Sequence, residues 1–154
     1  MADAYFRLTN TVAFAAWIVL LLLPGQRRVS GWLCAWVVPA LLAASYAAII
    51  ATKLLLGGGE QSGDIMTMDG LRQAFADDWV FAAAWTHYLA FDMVVGAGIA
   101  RDAVRRGMPW WLRTACLVGT FLLGPAGFLL HVATRSLFPA PPAAAAEQAV
   151  PGDA

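Results

Sequence analysis

Three residues of this 154-residue chain are suited to moving protons from within apolar surroundings: His87, Asp92 and His131. A histidine and a carboxyl can divide acid and base work between them, one delivering a proton and the other removing it. Ionisable groups are costly inside a membrane span, so they usually face the bundle interior and mark a site. Asp92 is the most demanding, because a carboxyl near mid-membrane needs a partner or a proton. His87 and Asp92 are five apart, about 140° around a helix, and therefore flank a pocket rather than bond directly. Tyr88 and Asp92 are four apart and share a face, which makes the phenol the expected local partner of the carboxyl. Lys53 joins this set by position, although Lys53 and Arg135 also fit a role in which the charged head reaches the lipid headgroups.

The elements that must hold these groups are uncharged windows. Nineteen uncharged residues lie between Arg7 and Arg27, and twenty-four between Arg28 and Lys53, each close to the roughly 20 residues that cross a bilayer core. A third window runs from Trp79 to Ala100, broken only by Asp92, and a fourth from Thr114 to Thr134 between two arginines. Backbone in lipid must satisfy its own hydrogen bonds, and runs of this length without period-two alternation are helices, not barrel strands. The expected fold is all-α, an integral membrane four-helix bundle over residues 1–138. The first window ends in Pro24, Gly25, Gln26, Arg27 and Arg28 without a small-x-small cleavage pattern, so it is read as a retained helix. Four alternating crossings place Lys53, His87, His131 and Asp92 in one half of the bundle, the outer one.

Between helices two and three, Gly57 to Asp78 opens with Gly-Gly-Gly, and Ile65, Met68, Leu71 and Phe75 then recur at helical spacing among polar residues. That pattern predicts a short amphipathic helix on the membrane surface, either a lid or a cover for the bundle end. In the fourth window Gly124, Pro125 and Gly127 predict a kink and close helix approach. Trp85, Tyr88, Phe91, Phe121 and Phe128 could line an aromatic groove, although aromatics in such helices also pack or anchor at interfaces. Residues 139–154, PAPPAAAAEQAVPGDA from Pro139, have too little apolar variety to pack and are expected to be disordered.

Composition agrees with a lipid environment: 60% of residues are hydrophobic and 13% charged, with a mean hydropathy of +0.66. The zero net charge, without a basic run, argues against nucleic acid as a partner. Cys34 and Cys116 are far apart and offer no thiolate metal spacing. Arg27, Arg28, Arg101, Arg105, Arg106 and Arg113 gather in the first and third connections, so the positive-inside rule predicts both termini outside the cytoplasm. A dimer is compatible with so small a core.

Two stretches, WTHYLAFDMVVG from Trp85 and TFLLGPAGFLLHVATRSL from Thr120, resemble the abscisic-acid-deficient-four-like family, most strongly from about Asp69 to Leu137. That family includes the plant plastid membrane protein needed to form neoxanthin from violaxanthin. His87, Asp92, Gly124, Pro125, Gly127 and His131 fall on its motif positions. The resemblance implies a membrane protein linked to carotenoid epoxide isomerisation. The alanine- and arginine-rich chain looks bacterial, which predicts an inner-membrane location and leaves the substrate open among carotenoids and other isoprenoid lipids. Three functions follow. One is a cofactor-free isomerase with Asp92 as acid and His87 or His131 as base. Another is an accessory protein that holds a carotenoid. A third is a haem protein ligated by the two histidines.

Overall fold

A computed structural model describes residues 1–56 and 66–139, and the regular elements among them are all helices. The Gly57–Gly59 run, Ile65 and the tail from residue 140 lie outside them. Helix α1 spans Ala2–Leu22. A π-helical segment, Arg27–Val37, leads directly into α2, Val38–Leu56. The change of winding falls where Val38 N–H bonds the Leu33 carbonyl, five residues back, immediately before Pro39. Proline has no N–H to give, and a wider turn next to it accommodates the missing bond. Helix α3 is Met68–Phe75, started by Thr67, whose hydroxyl accepts from Gly70 N–H at 3.1 Å. It carries Met68, Leu71 and Phe75 of the expected amphipathic helix. Helix α4, Asp78–Arg105, is capped by Asp77, whose carboxylate accepts from the Trp79 and Val80 amides.

Three stretches, Ala2–Leu22, Arg27–Leu55 and Asp78–Arg105, are long and apolar enough to cross a membrane. The fourth window is different. It divides into α5, Trp110–Leu123, and α6, Pro125–Arg135, joined by Gly124 at φ +49°. A rise of about 1.5 Å per residue makes these about 21 and 16 Å long, short of a core of about 30 Å. Instead of continuing, α6 folds back along α5: a Cβ on Gly127 would stand 1.9 Å from Thr120 N and 2.4 Å from the Cys116 carbonyl. The expected fourth crossing is thus a helical hairpin. Positive φ is open to glycine at little cost, and Pro125 supplies a pre-formed first turn for α6.

The hairpin also puts Tyr5 and Phe138 at opposite ends of the described residues, where four crossings would put them at one end. Near the start of α1, Tyr5 stacks at 5.8 Å on Trp79 and donates to Thr86, which puts it at the end of the molecule that holds Lys53 and Asp77. Phe138 lies at the other end, where its carbonyl accepts from Arg106 at 3.1 Å. With Arg135 now at that second end, it holds Arg27, Arg28, Arg101, Arg105, Arg106, Arg113 and Arg135, seven of the ten basic residues.

Helix α4 is central. Many of its small residues, among them Ala83, Ala90, Ala97 and Ala100, are buried and let neighbouring backbones approach closely. Gly96 is the tightest point, since an added methyl would stand 2.2 Å from the Trp17 ring. Trp17 is 1% exposed and packs on Phe121 of α5 at 5.4 Å, so a single indole ties α1, α4 and α5 together.

Candidate functional site

Two polar sites emerge, where one was expected. The first lies midway along α4, where Trp85, Tyr88 and Asp92 follow one another on one face. The turn of the α5–α6 hairpin arrives there: a Cβ on Gly124 would lie 3.1 Å from Asp92 Oδ1 and 3.3 Å from the Tyr88 ring. Tyr88 is the polar side chain that approaches the Asp92 carboxyl, as their four-residue spacing predicts. Asp92 Oδ2 is buried with no hydrogen-bond partner among the described residues. Buried polar atoms are nearly always paired, so an orphaned carboxylate oxygen is a departure that asks for a ligand, a water or a proton.

The surroundings of this face are aromatic. Trp85 lies 5.4 Å from Tyr88 and donates its indole N–H to Asn10 at 3.0 Å. Asn10 in turn lines a groove of about 330 Å³ together with Thr11, Ala13, Phe14, Leu89 and Phe121. Phe14 and Phe121 face each other at 5.9 Å. Trp85, Tyr88 and Phe121 from the expected aromatic set therefore belong to this side, with Gly124 and Pro125 at its hairpin turn.

The remaining predicted residues go elsewhere. His87 is on another face of α4, stacked 4.7 Å from Phe91 and 5.4 Å from Tyr46 of α2. Lys53 bonds Asp77 and so anchors the cap of α4 to the end of α2. Gly127 serves hairpin packing, and Phe128 is half exposed.

His131 is the main correction. The fold-back of α6 carries it to the arginine-rich end, where its Nε2 lies 3.1 Å from Asp102 Oδ2. His87 and Asp102 are fifteen residues apart on one helix, about 22 Å of rise, so the histidines cannot serve one acid–base pair or ligate one haem iron. The expected meeting of Lys53, His87, Asp92 and His131 in one half of the molecule does not occur.

The second polar site is built around Asp102, which the windows alone did not single out. Its carboxylate meets Arg105 at 2.5 Å, Arg106 at 2.8 Å, His131 at 3.1 Å and Arg135 at 3.3 Å. Arg106 extends to the carbonyls of Arg135 and Phe138, closing the hairpin against α4. The spacing of Asp102 to Arg105 and Arg106 was a visible signal for local pairing. Its link to His131 and Arg135 required the reversal at Gly124.

A family model described as ABA DEFICIENT 4-like matches residues 4–131, most of the chain. No curated protein and no solved structure matches it.

Proposed function

This chain belongs to the ABA DEFICIENT 4-like family, and from that premise we propose that it is a membrane-embedded, cofactor-free isomerase of a carotenoid epoxide or a related isoprenoid lipid. Membership links it to a role related to neoxanthin and abscisic acid formation. The three long apolar helices fit a membrane protein, and an isoprenoid reaches its enzyme through lipid. Seven of ten basic residues at one end favour placing that end in the cytoplasm of a bacterial inner membrane, with α1 starting on the far side.

The observation that carries the reading is the unpartnered Oδ2 of Asp92, beside Tyr88 at the hairpin turn. Opening an epoxide to an allenic alcohol breaks a carbon–hydrogen bond and a carbon–oxygen bond and leaves the oxidation state unchanged. Asp92 takes the carbon-bound proton, the freed electron pair becomes the new double bond, and the epoxide oxygen leaves its carbon and receives the Tyr88 hydroxyl proton. Protonated Asp92 then returns a proton to the Tyr88 phenolate, which restores both groups. In this assignment Tyr88 takes the acid role and Asp92 the base role. His87 and Phe91 lie outside the reacting pair.

The test is the pigment profile of carotenoid-producing cells that carry the intact gene, Asp92→Asn or Tyr88→Phe. Conversion by the intact protein, lost in Asp92→Asn and reduced about 100-fold or more in Tyr88→Phe, is the expected outcome. Full conversion by Asp92→Asn at equal protein level would sink the assignment. The groove at Phe14 and Phe121 favours a second reading, a carotenoid carrier without chemistry. That protein would purify with unaltered pigment and leave the cell profile unchanged.

A further inference from the structure

A third feature lies away from the Asp92 face and beside the Asp102 hub, with which it shares Arg105, along the seam between the π-helical segment with α2 and helix α4. At the arginine end this seam opens into a cavity of about 620 Å³, lined by Arg27, Ser30, Trp32, Trp36, Arg101 and Arg105. Further along it continues as an apolar groove of about 380 Å³ past Pro39, Ala43, Ala90 and Val94. Trp36 and Arg101 line both, so a basic mouth and an apolar groove adjoin along this seam, together called the channel.

The charges at the mouth are unevenly balanced. Asp102 is already shared by Arg105, Arg106 and Arg135. Arg101 has a backbone partner, the Ser30 carbonyl, and among the described residues neither it nor Arg27 has a carboxylate partner. That carbonyl belongs to the π-helical segment, so the bond ties α4 to residues 27–37 at the mouth. Arginine's planar fork suits phosphate oxygens, and π-helical turns recur at functional sites. Trp32 and Trp36, 63% and 70% exposed, stand where amphipathic rings mark the headgroup level.

We infer that this channel is a binding site for an acidic phospholipid, with the phosphate held between Arg27 and Arg101 and one acyl chain laid past Pro39, Ala43, Ala90 and Val94. The charge selects the headgroup and the apolar groove selects the chain. The site is separate from the Asp92 face and stands whether or not the chain is an isomerase.

Native mass spectrometry of the full chain, titrated with phosphatidylglycerol or phosphatidylcholine, tests this. One phosphatidylglycerol should bind in preference to phosphatidylcholine, and excess inorganic phosphate should not displace it. Arg27→Gln and Arg101→Gln should each weaken that binding about tenfold, as loss of one charged hydrogen bond does. Arg27 is exposed, so its variant reports on the site even if Arg101→Gln disturbs folding. Ala43→Trp, at another exposed position, should block the hydrocarbon body and abolish binding while the arginines remain. Arg113→Gln removes the same charge from the same end outside the channel and should change nothing. Equal loss in Arg113→Gln, equal affinity for phosphatidylcholine, displacement by phosphate, or unaltered binding in Ala43→Trp would each overturn the proposal.

Discussion

At the scale of single residues, the ionisable groups separate into anchors and a candidate reacting pair. Asp77 is an anchor. The hydrogen bond from Lys53 is the main influence that holds its carboxyl below the ordinary carboxylate value, with the Trp79 and Val80 amides adding to it. A depressed folded value means that the contribution is fully present above the unfolded pKa of about 4 and is lost as pH falls through the folded value. Thermal melting should therefore weaken on acidification below about pH 4, and Asp77→Asn should flatten that dependence. Asp77→Ala also removes the cap and should cost about 1 kcal/mol. Asp102 is the stronger anchor because its loss strands three arginines. Asp102→Asn should destabilise by on the order of 3 kcal/mol and more than His131→Gln does, measured by melting in one detergent. The reverse order would remove Asp102 from the centre of that network. Asp92 is neither capped nor ion-paired, and this sets it apart from the structural carboxylates.

Among the elements, the α5–α6 hairpin depends on glycines at two points for different reasons. Gly124 adopts positive φ, and an added methyl would meet Asp92. Gly127 lies directly against α5 backbone, which an added methyl would overlap. Gly127→Ala should part the two helices and destabilise by at least 1 to 3 kcal/mol, roughly the penalty for overpacking. Gly98→Ala, whose methyl would meet nothing within 4 Å, should be tolerated. Equal melting temperatures for the two variants would contradict the fold-back. The Gly-Pro-x-Gly pattern made a bend at this place legible, because proline and glycine act locally. The size of the bend was not, because a kink and a reversal use the same residues and differ only in what α6 then packs against.

On the scale of the whole molecule, the fold-back fixes which groups share an end. Gln26, just before Arg27, and Ser136, just after Arg135, are both at the arginine end. Cysteines introduced there should react with an impermeant thiol reagent from the same side of sealed vesicles. The native cysteines, Cys34 and Cys116, are buried and should stay silent. A bundle of four full crossings would expose the two positions on opposite sides.

The all-helical class, the three long apolar helices, the amphipathic α3, the position of Asp92 midway along its helix and its nearness to Tyr88 were legible in the sequence. All of these rest on hydropathy over a window or on spacing within one helix, and both are local properties. Only the tertiary structure decided where His131 belongs and that Asp102 is a hub. An uncharged window records how much apolar chain is present but not its direction, so two short helices separated by one glycine read as a single span. The direction follows from backbone contact between Gly127 and Thr120 and from four cationic or imidazole partners converging on Asp102, and no single segment contains either of these.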